Sequence, residues 1–262
     1  MTTVRIAHLS DIHFGGENAR AVEAAVTAVA AFDPSAVVVT GDLTLNGQPP
    51  EFRSVAAWLA RLPAPRLVTP GNHDTPYWNL PLRALDPFGR YQRYIGAPAA
   101  SALDVPGAAI RALNSARGAQ PRLNWSKGAL DLKVLEGLDW GAARLRVFAC
   151  HHPLLDLVGA PVTGGVRCGA EAAAALSEAG VELVLTGHVH NPFVVALPGG
   201  PVPGYAVGAG TLSLRTRGAP PGFTTLSIDE AQIAIDSLAW TGAVFEPAQS
   251  WRFARLSQST AP

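Results

Sequence analysis

Six of the seven histidines of this 262-residue sequence lie in short polar clusters, and three of the five clusters contain aspartate or asparagine. Imidazole, carboxylate and amide groups together are suited to bind Zn, Mn or Fe, whereas oxygen ligands alone would indicate Mg or Ca. Two such ions need a shared carboxylate, and together they can clamp a phosphoryl group for in-line displacement. The polar clusters occupy residues 10–13, 41–42, 71–74, 151–153 and 187–190.

Each polar cluster follows a short apolar run. These runs are rich in Val, Ile and Leu and are bounded by Gly, Pro, Asp or Asn, which predicts buried strands. Ligand sites in open α/β sheets lie outside the carboxyl ends of the strands, so we expect the clusters to converge on one crevice. The five predicted strands are residues 4–9, 36–40, 66–69, 145–150 and 181–186.

The spacing within two clusters supports this convergence. Residues two apart on an extended segment point to the same side, so Asp11 with His13, and His188 with His190, are suited to converge on metal. By the same rule His151 and the next residue, His152, face opposite sides, and only one of them reaches a metal easily. His8 lies inside the first predicted strand, where we expect a buried, hydrogen-bonded side chain rather than a ligand.

Segments with helical spacing alternate with these strands, which indicates βαβ units and a largely parallel sheet in the first half of the chain. The predicted helices include 127–138 and 169–180. After residue 186 helices give way to short predicted strands, so we expect a mixed or antiparallel second sheet packed against the first. These later strands are 194–197, 204–207, 223–228 and 232–239.

The composition is that of a folded globular protein rather than a disordered or membrane protein. Hydrophobic residues make up 48% of the chain and charged residues 15%, which predicts one domain over residues 1–262 with a sizeable core. Twenty basic residues balance twenty acidic ones, so no global field attracts a nucleic-acid polymer. Two cysteines without metal-type spacing and no apolar run long enough to span a bilayer predict a cytoplasmic protein without integral membrane association.

The ordered series D-x-H, GD, GNHD, H and GHxH resembles the calcineurin-like metallophosphoesterase superfamily, and the match extends from about residue 4 to residue 190. The stretch GDLTLNGQPPEF at 41–52 and the HHP at 151–153 look most like bacterial class III cyclic-nucleotide phosphodiesterases. This resemblance implies an α/β fold of two central mixed β-sheets, packed face to face and flanked by helices in an αββα arrangement.

The resemblance also implies a role for each residue of the clusters. It implies two divalent or trivalent ions (Mn, Fe or Zn), with Asp42 bridging them, and a metal-bridging hydroxide that attacks a small phosphoester substrate in line. His73 would contact the phosphate or protonate the leaving group, and Asp74 would orient His73. The implied ligands are Asp11, His13 and His190 for the first ion, Asn72, His151 and His188 for the second, and Asp42 for both.

Differences between these motifs and those of related enzymes restrict the class of substrate. Protein phosphatases carry GDxVDRG followed by GNHE, whereas this chain has GDLTLNG and ends its third motif in Asp74, so the phosphate-gripping Arg expected there is missing. The prediction is therefore a phosphodiesterase acting on a substrate such as a cyclic nucleotide. The alternatives are a pyrophosphatase or phosphomonoesterase on a nucleotide- or lipid-linked substrate, and a non-catalytic scaffold.

The segment 75–100 is rich in Tyr and Arg and follows the GNHD motif directly. It has two interpretations. Its aromatic residues can pack into a small cap over the site, or they can form a substrate lid that stacks on a base.

Overall fold

The five apolar runs form strands of two sheets in the computed structural model, which describes residues 3–157, 159, 162 and 165–255. The strands are β1 Val4–Leu9, β2 Ala36–Thr40, β3 Arg66–Thr69, β4 Ala100–Val105, β5 Ala108–Leu113, β6 Leu145–Ala149, β7 Leu183–Thr186, β8 Phe193–Ala196, β9 Tyr205–Gly208, β10 Gly222–Ile228, β11 Gln232–Trp240 and β12 Phe245–Ala254. The helices are α1 Ala19–Phe32, α2 Pro49–Leu59, α3 Leu80–Leu85, α4 Gly89–Tyr94, α5 Leu132–Glu136 and α6 Gly169–Glu178.

Both sheets are mixed. The first has the order β12-β11-β10-β1-β2-β3, with β1, β2 and β3 parallel and β10 antiparallel to β1. The second has the order β4-β5-β6-β7-β9-β8, in which β5, β6, β7 and β9 are parallel and the two edge strands are antiparallel. The carboxyl ends of the parallel strands carry the loops that hold the polar clusters.

The two sheets share an apolar core. Ile6 and Val38 of the first sheet belong to the same buried cluster as Ile110, Val147 and Leu185 of the second. Helices α1 and α2 cover the outer face of the first sheet, and α5 and α6 cover the outer face of the second. The predicted fold, two mixed sheets face to face with helices outside, is confirmed.

Two predictions about the elements are wrong. The predicted strands 223–228 and 232–239, which are β10 and β11, do not belong to a second sheet, because β10 pairs with β1 and thereby extends the first sheet. The helix predicted over residues 127–138 shortens to α5, because Ala129 forms an isolated β-bridge with Arg167. No helix among the described residues is long and apolar enough to cross a membrane.

The Ala-rich strand β5 was not predicted from the sequence, although all six of its residues are buried. Its sequence AAIRAL has no run of β-branched residues, and alanine favours helices when local propensity alone decides. Arg111 is tolerated in this strand because its guanidinium pairs with Asp104 of β4 and donates to the carbonyl of Asp139.

Candidate metal centre

The five polar clusters converge where the carboxyl ends of β1, β2, β3, β6 and β7 meet. Four overlapping groups of residues each bring one ligand atom per residue to within 4.8 Å of one another. All members are buried except His73, which is half-buried. The groups are Asp11 with His13 and His190, Asp11 with Asp42 and His151, His13 with Asp42 and His73, and His151 with His152 and His188.

The first group places two imidazoles and a carboxylate around one point. His13 Nε2 lies 3.2 Å from His190 Nε2, and His190 Nε2 lies 3.1 Å from Asp11 Oδ1. The Nδ1–H of His13 donates to the carbonyl of Thr44, and that of His190 donates to the carbonyl of Arg215. Because Nδ1 carries the proton in both neutral rings, two lone pairs and a carboxylate oxygen face each other, an arrangement that a cation stabilises.

Asp42 lies between this first group and the imidazole of His151. Its Oδ2 is 3.8 Å from His13 Nε2 and 3.3 Å from His151 Nε2, while its Oδ1 accepts the backbone N–H of His73 at 2.8 Å. The backbone hydrogen bond fixes the carboxylate so that one oxygen faces both imidazoles. This is the position that a carboxylate shared by two ions requires.

His151 and His152 both point towards the site, and the prediction that they face opposite sides is wrong. Their ring centroids lie only 4.8 Å apart, because both residues belong to the loop after β6 and not to an extended strand. The two histidines differ instead in their hydrogen-bond partners. His152 contacts Ser115 Oγ through Nδ1 and the Ser126 carbonyl through Nε2. His151 contacts the Thr40 carbonyl through Nδ1, and its Nε2 faces the Asp42 carboxylate at 3.3 Å. The free Nε2 favours His151 as the ligand.

Within the part of the chain that the structure describes, three buried ligand atoms have no hydrogen-bond partner: Asp11 Oδ1, Asn72 Oδ1 and His151 Nε2. Buried acceptors without a partner are costly, so these atoms mark places where a further group belongs. Burial lowers the pKa of His151, but the Asp42 carboxylate outweighs it and raises that pKa to about 9. The site therefore favours positive charge at this point, and the residues fit a pair of metal ions.

The loops reach this geometry through left-handed backbone conformations. Non-glycine residues with positive φ are uncommon and cluster at functional sites. The interpretation that Asp11 and His13 converge along an extended segment is therefore wrong, because both follow the end of β1 and adopt φ near +53°. Five of the predicted ligands share this conformation, namely Asp11, His13, Asp42, His188 and His190.

Close approach of the loops explains two of the glycines in the motifs. A Cβ on Gly71 would overlap the Asp42 carboxylate and backbone, and a Cβ on Gly187 would overlap Ser10 Oγ and approach Asp11 Oδ2. Any side chain at either position would displace a predicted metal ligand.

Asp74 does not orient His73, and that part of the sequence-based prediction is wrong. Its carboxylate is fully buried and accepts the backbone N–H groups of Gly71, Leu43 and Thr44 together with the Thr44 hydroxyl. Burial and the nearby Asp42 raise the pKa of Asp74 to about 7, against the lowering effect of these backbone donors. Asp74 thus fastens the loop after β3 to the loop after β2.

His73 is held by other partners. Its Nδ1–H donates to the carbonyl of Leu45 at 2.7 Å, and its Nε2 lies 3.1 Å from Nη1 of Arg215. Neither Arg215 nor the neighbouring Arg217 was identified from the sequence, since both lie beyond the last polar cluster. Two arginines two residues apart in a Gly/Pro-rich segment were the available signal.

Two adjoining cavities open at this centre and share Asn72, His73, Asn124, Ser126 and Arg215. The smaller, of about 150 Å³, also reaches Asp42 and His188. The larger, of about 600 Å³, is lined by the aromatic side chains of Tyr77, Trp78 and Trp125.

Each of the two interpretations of residues 75–100 applies to a different part of the segment. Tyr77 and Trp78 are 45% and 75% exposed and line it, which fits contact with a substrate. Tyr91 and Tyr94 pack instead against Phe52 of α2, which fits a small core.

His8 behaves as predicted. It is fully buried, contacts Thr40 Oγ1 through Nε2, and has a pKa lowered by burial to about 3.

The fold and the buried carboxylate and imidazole groups fit an enzyme that binds two metal ions. The chain belongs to the calcineurin-like phosphoesterase family, whose sequence model matches residues 4–192. A Synechococcus protein named "Probable cyclic nucleotide phosphodiesterase" is 26% identical over 269 residues, which is 95% of this chain and 91% of that relative.

Solved structures of low sequence identity share the fold. A dimetal phosphatase from Danio rerio has a TM-score of 0.67 and 13% identity, and the match covers 96% of this chain and 98% of that one. The purple acid phosphatase PPD1 from yellow lupin has the same TM-score and 14% identity, covering 97% of this chain and 54% of the lupin chain.

Proposed function

We propose that this metal-dependent phosphoester hydrolase is a phosphodiesterase that acts on a small substrate such as a cyclic nucleotide. The observation that carries the proposal is the Asp42 carboxylate, one oxygen of which faces His13 on one side and His151 on the other. In this assignment Asp42 would be the ligand shared by two metal ions. Asp11, His13 and His190 would hold the first ion, and Asn72, His151 and His188 would hold the second.

The metal pair, when bound, polarises the phosphoryl group and activates a water as nucleophile. The residues of the chain keep the ligands in place, since Thr40, Thr44 and Arg215 each accept an Nδ1–H through a backbone carbonyl and so direct Nε2 of the ring into the site. His73, at the junction of the two cavities, is positioned to contact the phosphate.

The aromatic cavity supports a nucleotide substrate. Tyr77, Trp78 and Trp125 line a space that adjoins the metal-facing cavity, so a base can lie against aromatic side chains while its phosphate lies at the metal site. The printed name of the Synechococcus relative supports the same substrate class.

One substrate panel tests the proposal. Protein loaded with Mn, Fe or Zn is assayed with bis(p-nitrophenyl) phosphate, p-nitrophenyl phosphate, 3′,5′-cyclic AMP and 2′,3′-cyclic AMP. We expect diester turnover to exceed monoester turnover, with at least one cyclic nucleotide hydrolysed. Faster turnover of the monoester with every metal would contradict a phosphodiesterase.

Replacing His73 by Ala is expected to lower kcat by about a hundredfold, the usual range for a group that donates to or accepts from the reacting atoms. The metal content is expected to stay at the wild-type value, because the Asp42 carboxylate is held by the backbone N–H of residue 73, which alanine keeps. Steady-state kinetics and metal analysis by mass spectrometry measure both quantities. Loss of metal together with activity would show that His73 is a ligand instead.

Replacing Trp78 by Ala is expected to raise KM for 3′,5′-cyclic AMP about tenfold, because a base–aromatic stack contributes about 1–3 kcal/mol. Turnover of the small diester methyl p-nitrophenyl phosphate provides the comparison within each variant. Leu85→Ala is the matched control, since Leu85 is 87% exposed and does not line this cavity. Equal effects of Trp78→Ala and Leu85→Ala on KM would show that the base does not bind in this cavity.

A further inference from the structure

The segment between β9 and β10 brings two arginines to the metal centre. Arg215 and Arg217 both line the smaller cavity, together with Lys127 from the loop before α5. Both arginines lie outside the part of the chain that matches the family, which ends at residue 192. Their position in the site therefore follows from how this chain places its C-terminal part.

Hydrogen bonds fix this segment to the metal-facing loops. The Thr211 hydroxyl donates to the carbonyl of Asp11, and the backbone N–H of Arg215 donates to Ser213 Oγ. The carbonyl of Arg215 accepts the Nδ1–H of His190, a predicted metal ligand. Arg215 is thus anchored through its backbone, and its side chain projects into the site from a defined point.

The side chain of Arg215 meets His73 at the junction of the two cavities. Because His73 Nδ1–H donates to the Leu45 carbonyl, its Nε2 carries a lone pair and accepts from Nη1 of Arg215 at 3.1 Å. Arg217 lines the smaller cavity as well, and its Nη1 donates to the carbonyl of His188 at 2.9 Å. Guanidinium groups have five N–H donors in a planar fork, so each can bind a phosphate oxygen in addition to these contacts.

The sequence offers a reason for this arrangement. The segment GDLTLNG at 41–47, which follows β2 and carries Asp42, contains no arginine. The structure brings cationic side chains to the same cavity from a different part of the chain. Anionic oxygens of a bound phosphate are the groups that cationic donors around this cavity would select.

We propose that Arg215 and Arg217 bind the non-bridging oxygens of the substrate phosphate and take the place of the missing arginine. This inference rests on the proposed function, because it assigns a phosphate to the metal-facing cavity. Arg215 lines both cavities, so it can bind a phosphate oxygen while the organic group of the substrate lies in the aromatic cavity. Arg217 holds the phosphate from the His188 side.

The test compares Arg215→Met, Arg215→Lys and Arg217→Met in the Mn-loaded protein, with Arg93→Met on the exposed surface of α4 as the matched control. KM for bis(p-nitrophenyl) phosphate, the inhibition constant of orthophosphate and the calorimetric affinity for orthophosphate are measured. We expect Arg215→Met and Arg217→Met to raise KM and the inhibition constant about ten- to hundredfold, the usual range for a charge-assisted hydrogen bond. The calorimetric affinity for orthophosphate is expected to fall by the same factor. Arg215→Lys is expected to recover part of the loss, and Arg93→Met to have no effect.

Manganese content and the urea midpoint are measured for each variant, because Arg217 contacts the backbone of His188. A loss of phosphate affinity at unchanged metal content supports the inference. Unchanged phosphate affinity in both methionine variants overturns it, also where kcat falls, since Arg215 would then act only by restraining His73. Absence of diester turnover in the wild type contradicts the proposed function separately, because calorimetry with orthophosphate needs no turnover.

Discussion

Replacing Asp42 by Asn is expected to abolish phosphodiester turnover, with a loss of about a thousandfold or more, and to weaken metal binding. The substitution is nearly isosteric and removes a negative charge from an oxygen that faces both His13 and His151. A neutral amide cannot bridge two cations with comparable strength, so the second ion is lost first. Without both ions the site lacks the clamp for in-line displacement.

The backbone does not complicate this experiment. Asp42 adopts φ +49°, a left-handed conformation that asparagine tolerates well, so Asn adds no strain. Asp33→Asn is the matched control, because Asp33 has φ +50°, lies exposed after α1 and is remote from the site. Turnover of bis(p-nitrophenyl) phosphate, metal content and the urea midpoint are measured for both variants. Near-normal activity of Asp42→Asn would refute the assignment of a shared carboxylate.

The ligand clusters could be predicted because strand ends are visible in sequence. A buried strand leaves a clear apolar signature, and the polar residues that follow it have no place in the core, as in the loops with Asp11 and His188. Alternation of residues was the wrong reason for their convergence. Left-handed φ values turn these side chains inwards, and a sequence does not show when a non-glycine residue adopts such a conformation.

Contacts between distant parts of the chain could not be predicted in this way. Arg215 and His73 are 142 residues apart, and their contact depends on the pairing of β10 with β1. The pattern of apolar residues does not reveal that pairing. The choice between His151 and His152 depends on Ser115 and Ser126, which lie in a loop beyond the unrecognised strand β5. Each of these details follows from which strands become neighbours, and periodicity does not encode that information.

Asp74, which holds the loops after β2 and β3 together, is the residue whose replacement should have the second large effect, a loss of stability. Replacing Asp74 by Ala is expected to lower the free energy of unfolding by about 3–5 kcal/mol, because buried donors left without an acceptor cost about 1–3 kcal/mol each before relaxation. Three backbone N–H groups lose their acceptor together, whereas the Thr44 hydroxyl keeps the carbonyl of His73 as an acceptor. The loops after β2 and β3, which carry Asp42 and Asn72, then separate.

Urea unfolding of the metal-free protein measures this effect without a contribution from metal binding. Asp74→Asn keeps one carbonyl oxygen as acceptor, so we expect a smaller loss of stability than in Asp74→Ala. A residue that acts only through His73 would behave differently, because its removal would slow turnover while leaving the unfolding free energy within about 0.5 kcal/mol of the wild type. Since both carboxylate oxygens of Asp74 contact the backbone and Thr44 rather than the His73 ring, stability and not catalytic rate is the property that should respond first.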